Sequence, residues 1–195
     1  MLEALLALAG GYLLGSIPFA YVVTQAFGLG DIRQVGSGNV GATNVLRTGN
    51  KLATALTFVG DVGKGVVAVL IAKQFGDMPA GAAALGAFAG HIFPVWLNFK
   101  GGKGVATCLG ILAVLSWPVA ALSFGTWLAS VAITRISSLS ALVAAVAAPI
   151  FMAFFGPWLY TAGSVILAAL VFVTHRENIA RLMKGEEPRI GQKKA

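Results

Sequence analysis

Residues 104–134 run for thirty-one positions without one Asp, Glu, Lys or Arg. A water-soluble domain covers its surface with about a quarter charged residues, and a stretch like this leaves none for the purpose. It reads as membrane-spanning. Four more apolar runs flank it. Residues 4–30 are free of charge, residues 52–72 are interrupted only by Asp61 and Lys64, residues 78–99 carry His91 and Pro94 near their end, and residues 136–174 are again free of charge. The composition fits: 57% hydrophobic against 11% charged, with mean hydropathy +0.84. An all-α polytopic membrane protein is expected, built as a single integral-membrane domain over residues 1–195. The segment before Arg33 has no basic residue. It lacks the charged start of a signal peptide and is expected to be retained as a span.

Two of the runs are too long for one crossing. As a single helix, residues 104–134 would measure about 46 Å at 1.5 Å per residue, against a hydrocarbon core of roughly 30 Å. Trp117-Pro118 offers a break there, and Gly156-Pro157 divides the last run. The expected count is seven transmembrane helices. The 14 Lys and Arg residues outnumber the 7 acids, and their placement orients the spans. Arg33, Arg47, Lys51, Lys100, Lys103, Arg135, Arg176, Arg181, Lys184, Arg189, Lys193 and Lys194 fall on one side. Lys64 lies inside a span and Lys73 near the other face. This asymmetry predicts a cytoplasmic C-terminus and an N-terminus outside. Six spans would move Arg135 outside, so the even partition favours seven. Bases spaced by apolar runs also argue against nucleic-acid binding. The fourth span, residues 104–116, gives only about 20 Å of helix. Its start is expected below the membrane surface, with the Lys100-to-Gly104 loop lining a recess open to the cytoplasm.

Three segments carry candidate chemistry. Residues 36–47, GSGNVGATNVLR, satisfy G-x-G-x-x-G but join two spans, so the dinucleotide reading fails for want of a βαβ unit. What survives is anion-binding capacity: glycines allow close backbone approach, and Arg47 offers a forked cation. Ser37, Asn39, Thr43 and Asn44 add neutral hydrogen-bonding groups. A flexible linker is the competing reading, and it leaves this mixture unexplained. Residues 99–107, FKGGKGVAT, lack Walker spacing, yet they place two lysines at the opening of a helix, where phosphate is attracted. Lys103, between glycines, is the better candidate; Lys100 is equally well a positive-inside marker. Residues 175–187, HRENIARLMKGEE, put His175, Asn178 and either Arg181 or Leu182 along one helical face. A juxtamembrane helix on anionic lipid is an even alternative.

Inside the membrane, Asp61 and Lys64 cost at least ~2.5–3.5 kcal/mol each on the insertion scale unless paired, and a structural ion pair is expected. His91 is expected to be buried and hydrogen-bonded, and Cys108 to be a small core residue. The single cysteine excludes an internal disulfide. No group of residues has metal-ligand spacing, and nothing singles out a nucleophile beside a base. Neither metal nor cofactor is expected. The residues alone lead to a membrane protein with a cytoplasmic phosphate site drawn from three loops.

At these motifs the chain resembles the bacterial acyl-phosphate-dependent glycerol-3-phosphate acyltransferases, the PlsY family. That family's signatures read S-G-N-x-G-A-T-N-x-x-R, G-G-K-G-V-A-T and H-x-x-N-I-x-R-L-x-x-G-x-E. Residues 37–47, 101–107 and 175–187 meet every defined position. Gly15-Ser16-Ile17-Pro18, Asp61-x-x-Lys64-Gly65, Gly90-His91-Ile92-Phe93-Pro94 and Ser137-Ser138-Leu139 add similarity in the same order.

The resemblance implies transfer of a fatty acyl group from long-chain acyl phosphate to glycerol 3-phosphate. Lysophosphatidic acid and phosphate are released at the cytoplasmic face of the bacterial inner membrane. It implies Lys103, His175 and Asn178 as catalytic residues. Lys103 and the amides of Gly101, Gly102 and Gly104 would take one phosphate, with Thr107 in the same motif. Ser37, Gly38, Asn39, Thr43, Asn44 and Arg47 would shape the second pocket, and Ser138, Arg181 and Glu187 would complete substrate binding. Which loop takes which phosphate stays open. The general base is either His175 or the substrate's own phosphate oxygen. Membrane lipid is the expected surrounding, with no obligate protein partner. The rival from another class is an organophosphate transporter using the same recess; a third reading is a lipid-binding scaffold without activity.

Overall fold

A computed structural model describes residues 1–191. Lys193 and Lys194, counted above among the cytoplasmic bases, lie outside the described residues. Among the described residues the regular structure is all helical, and it gathers into two compact units, Met1–Leu115 and Ser116–Ala195.

The first unit holds α1 (Leu2–Gly15), α2 (Phe19–Ala26), α3 (Ala42–Val45), α4 (Lys51–Lys73), α5 (Asp77–Ile92) and α6 (Val105–Leu115). The first apolar run, expected as one span, breaks between α1 and α2. Pro18 has no N–H to donate, and its ring disfavours helical geometry at Ile17. Glycines set the packing of this unit. A Cβ on Gly15 would lie 2.1 Å from the Ala87 carbonyl, and one on Gly86 would lie 2.2 Å from the Leu8 carbonyl. Gly11 and Gly90 meet the facing backbone in the same way, so α1 and α5 touch main chain to main chain. Gly110 brings α6 as close to α4 at Val62.

Residues 27–50 are a folded element and not a linker. Ile32, Val40 and Val45 are buried with Ala20, Ala53 and Leu97 in a small core, and Asn50 caps α4 by accepting the Ala53 N–H at 2.9 Å.

The second unit holds α7 (Trp117–Thr134), α8 (Ser137–Phe155), α9 (Trp158–Thr174) and α10 (Arg176–Met183). The breaks fall where Trp117-Pro118 and Gly156-Pro157 were expected to make them. Pro118 sits in the first turn of α7, where its missing N–H has no intrahelical partner in any case. Trp117 and Trp158 open their helices as strongly exposed side chains, as tryptophans at a membrane interface do.

Five helical stretches are long and apolar enough to cross a bilayer: Leu2–Ala26, Lys51–Lys73, Asp77–Leu97, Trp117–Thr134 and Ser137–Phe155. A sixth arises if α9 and α10, bent by 62° at His175, form one broken span. The remaining apolar helix, α6, has 11 residues, about 16 Å at 1.5 Å per residue. The chain is a multi-pass, all-helical membrane protein.

Candidate active site

The first loop is organised by Asn44, which is almost wholly buried. Its Oδ1 accepts the Ser37 N–H at 3.1 Å and the Ser37 hydroxyl at 3.3 Å, while Nδ2 donates to the carbonyls of Ile32 (3.0 Å) and Val35 (2.9 Å). These bonds use all four hydrogen-bonding positions of the amide. Asn44, expected in a substrate pocket, therefore holds the loop together. Gly38 is tied into the loop as well, its N–H donating to the Val35 carbonyl at 2.9 Å. Gly36, at φ +57, lets the Arg47 side chain cross its Cα, where a Cβ would sit 2.8 Å from the guanidinium. Arg47, Ser37 and Thr43 are exposed and Asn39 is half-buried. The other arginine here is committed elsewhere. Arg33 forks onto Asp31 at 2.6 Å and stacks over Tyr21. This hydrogen-bonded pairing holds the Asp31 carboxyl below the ordinary range and raises Arg33.

The glycine turn before α6 is tied to the end of α5. The Gly101 N–H donates to the Ile92 carbonyl at 2.9 Å and the Gly102 N–H to the His91 carbonyl at 3.0 Å. Those two amides are engaged within the fold, so Gly101 and Gly102 shape the turn. Gly104, at φ +84, lies against the Phe88 ring, 2.1 Å from where its Cβ would be. Lys103 is half-buried between these two fixed points. Thr107, one turn into α6, is fully buried with no hydrogen-bond partner for Oγ1 among the described residues. Below the turn, Lys64 Nζ lies 2.9 Å from Asp61 Oδ1 and donates to the Ile17 carbonyl at 2.9 Å. His91 is buried as expected, but its Nδ1 makes no hydrogen bond among the described residues and stands 3.5 Å from Asp61 Oδ1. Cys108 is half-buried.

In the second unit, Glu187 gathers three residues predicted from the motifs. Its Oε1 accepts the Ser138 hydroxyl at 2.6 Å and Asn178 Nδ2 at 2.5 Å, and Oε2 accepts Arg181 Nε at 2.7 Å. Burial pushes this carboxyl up, but the three donors outweigh it and hold Glu187 below the ordinary glutamate value. The carboxylate acts as a hub that orients Asn178. His175, buried at the bend between α9 and α10, donates from Nδ1 to the Val171 carbonyl at 2.8 Å. A carbonyl only accepts, so the neutral ring carries its proton on Nδ1 and Nε2 is the basic nitrogen.

Arg135 holds a contact that has no sequence signature. Arg135, in the left-handed region at φ 59, accepts the Ile190 N–H at its carbonyl (2.7 Å) and donates from its guanidinium to the Ile190 carbonyl (2.9 Å). This two-point clamp returns the tail that carries Glu187. A residue counted only as a topological charge has a second use, and no local pattern announces a partner fifty-five positions away.

The family profile described as glycerol-3-phosphate acyltransferase matches residues 5–185. A protein of Caulobacter vibrioides named glycerol-3-phosphate acyltransferase is 58% identical over 193 residues, covering 97% of this chain and 88% of that one. Two crystal structures of PlsY (YgiH), an integral membrane glycerol 3-phosphate acyltransferase, superpose closely. The glycerol 3-phosphate form gives a TM-score of 0.92 at 40% identity, covering 96% of each chain. The lysophosphatidic acid form gives 0.90 at 38% identity, covering 96% of this chain and 95% of that one. With motifs, helical architecture and full-length similarity in agreement, the chain belongs to the glycerol-3-phosphate acyltransferase family.

Proposed function

We propose that this membrane acyltransferase moves a fatty acyl group from a long-chain acyl phosphate to glycerol 3-phosphate, yielding lysophosphatidic acid and phosphate. The observation that carries the reading is the turn before α6. It delivers one cation, Lys103, and one helix N-terminus from a rigid seat, and together these favour a phosphate. Residues 1–195 act as one catalytic domain with seven crossings, the short α6 among them. The N-terminus is outside and the site faces the cytoplasm of a bacterial inner membrane. Twelve of the 14 bases on one side support that orientation.

Acyl phosphate is an activated mixed anhydride, so no enzyme nucleophile is needed. The glycerol hydroxyl attacks the acyl carbon, the carbon–oxygen bond to phosphate breaks, and inorganic phosphate leaves with the electron pair. Catalysis rests on positioning and charge stabilisation. Lys103 and the first turn of α6, with Gly104 and Thr107, neutralise one phosphate. Ser37, Asn39, Thr43 and Arg47 present side chains to the second. Asn178, oriented by Glu187 together with Ser138 and Arg181, serves the acceptor. The hydroxyl proton goes to His175 Nε2 or to a phosphate oxygen of the substrate. Loss of pH dependence in His175→Ala marks the first route, and an unchanged profile marks the second.

The test is the purified protein in detergent, offered acyl phosphate, acyl-CoA or acyl carrier protein thioester. Lysophosphatidic acid is expected from acyl phosphate alone, and product from a thioester donor overturns the donor assignment. A folded Lys103→Ala variant is expected to lose transfer; near-normal turnover would overturn the phosphate role. The transporter alternative draws no support from the relatives described above, which are named acyltransferases.

A further inference from the structure

Beneath the glycine turn, Asp61, Lys64, His91, Val40, Gly101 and Gly102 surround a cavity of about 10 Å³, room for one water molecule. The three ionisable side chains are 3–5% exposed and come from α4 and α5. None of them is needed by the chemistry described above. A buried ion pair is a poor source of stability, because well-packed apolar residues of the same volume serve as well or better. Its presence here calls for a use other than stability.

Gly102 shows what the group supports. A Cβ on Gly102 would lie 2.1 Å from His91 Nε2 and 2.6 Å from the Val40 carbonyl, so the turn rests on the imidazole more closely than any side chain permits. The other ring nitrogen faces Asp61 at 3.5 Å, with no hydrogen bond among the described residues. Asp61 is held in turn by Lys64, which is anchored on the Ile17 carbonyl at the break of the first span. The ring thus stands between a fixed carboxylate and the turn, one residue before Lys103.

We propose that His91 is a positioning residue for Lys103: the imidazole, set by the Asp61–Lys64 pair, fixes the seat of Gly102 and so the height of the turn that carries the lysine. This rests on the reading of Lys103 as the phosphate-binding cation. Two isosteres separate the proposal from a mere ion-pair role. Asn places its amide where Nδ1 stands and keeps the Asp61 contact, but it leaves a void under Gly102. Gln reaches the Nε2 position and fills that void.

The experiment compares steady-state kinetics and thermal midpoints of His91→Asn, His91→Gln, Lys103→Arg and Lys103→Ala in detergent. His91→Asn is expected to lose about tenfold or more in kcat/KM, the scale on which small misplacements act, while remaining folded with a midpoint lowered only by the void it leaves. His91→Gln is expected to restore most of that loss. The phosphate substrate whose KM rises in His91→Asn is expected to be the one whose KM rises in Lys103→Arg. Equal activity in both His91 variants, or full activity in Asn with loss in Gln, overturns the proposal while an inactive Lys103→Ala leaves the lysine reading intact. An active Lys103→Ala instead refutes the lysine reading itself. If the His91 variants do not fold, Gly102→Ala lifts the turn from the other side while His91, Asp61 and Lys64 are all retained. The same substrate's KM is expected to rise, and unchanged kinetics overturns the proposal.

Discussion

Replacing Glu187 by Gln keeps the shape of the hub and removes its charge. The carboxylate accepts from Ser138, Asn178 and Arg181 at 2.6, 2.5 and 2.7 Å. Glutamine retains one accepting oxygen, and its NH2 group faces a donor it cannot satisfy. Hydrogen bonds to a charged group contribute about 1.5–3 kcal/mol each. The Arg181 side chain is 35% exposed, which reduces its own share to under about 1 kcal/mol. A net loss of about 2–3 kcal/mol follows, or roughly 5–10 °C in the thermal midpoint of a chain this size.

The pH dependence of that gap is the sharper test. The folded carboxyl titrates below its unfolded value. Its stabilisation is therefore complete above the ordinary glutamate value of about 4.3 and is lost as pH falls through the lower folded value. Midpoints of the parent protein and Glu187→Gln, measured in detergent from pH 7 downward, are expected to be separated at neutral pH and to converge below about pH 4. Transfer activity should fall as well, since Asn178 loses its anchor. Equal midpoints at pH 7, or a gap that persists unchanged in acid, would refute the view of Glu187 as an ionised hub.

The remaining predictions concern the first unit. Gly86→Leu, aimed at the Leu8 carbonyl, is expected to abolish a monodisperse folded species in size-exclusion chromatography. Gly10→Ala, with nothing within 4 Å of its added methyl, should leave the midpoint unchanged or raise it by the helix-propensity difference of about 1 kcal/mol. Asp61→Asn leaves the Lys64 ammonium buried without its carboxylate and is expected to cost about 3–5 kcal/mol. The Asp61→Asn/Lys64→Met double variant should recover much of that stability in thermal unfolding, while kcat/KM stays low.

Much of the fold was legible because its cause is local. Charge-free runs mark the apolar helices, and Trp117-Pro118 and Gly156-Pro157 mark two of their breaks. Pro18 was equally visible, and it interrupts the helix between α1 and α2 while Leu2–Ala26 still counts as one apolar stretch. In the candidate site, motif spacing picked out the segments, but it did not show which of their groups the fold itself uses. Gly38, Gly101 and Gly102 looked like anion donors by type. Their amides are consumed by Val35, Ile92 and His91, and residue type does not reveal which donors the fold has already used. Asn44 and Glu187 differ in the same way, as each is a polar side chain whose partners come from up to forty-nine positions away. The Arg135–Ile190 clamp depends on a left-handed backbone at a non-glycine residue, which no propensity predicts.

The main-chain contact between α1 and α5 also bears on how the protein is made. Gly15 and Gly86 belong to helices separated by all of α2, α3 and α4. At a synthesis rate of about 5–20 residues per second, the first helix waits several seconds in the bilayer before its partner emerges. During that interval its glycine face lacks the α5 main chain that it packs against in the folded protein. Any insertase or neighbouring helix that shields small-residue surfaces would find its substrate there, at the nascent stage, and lose it once α5 arrives.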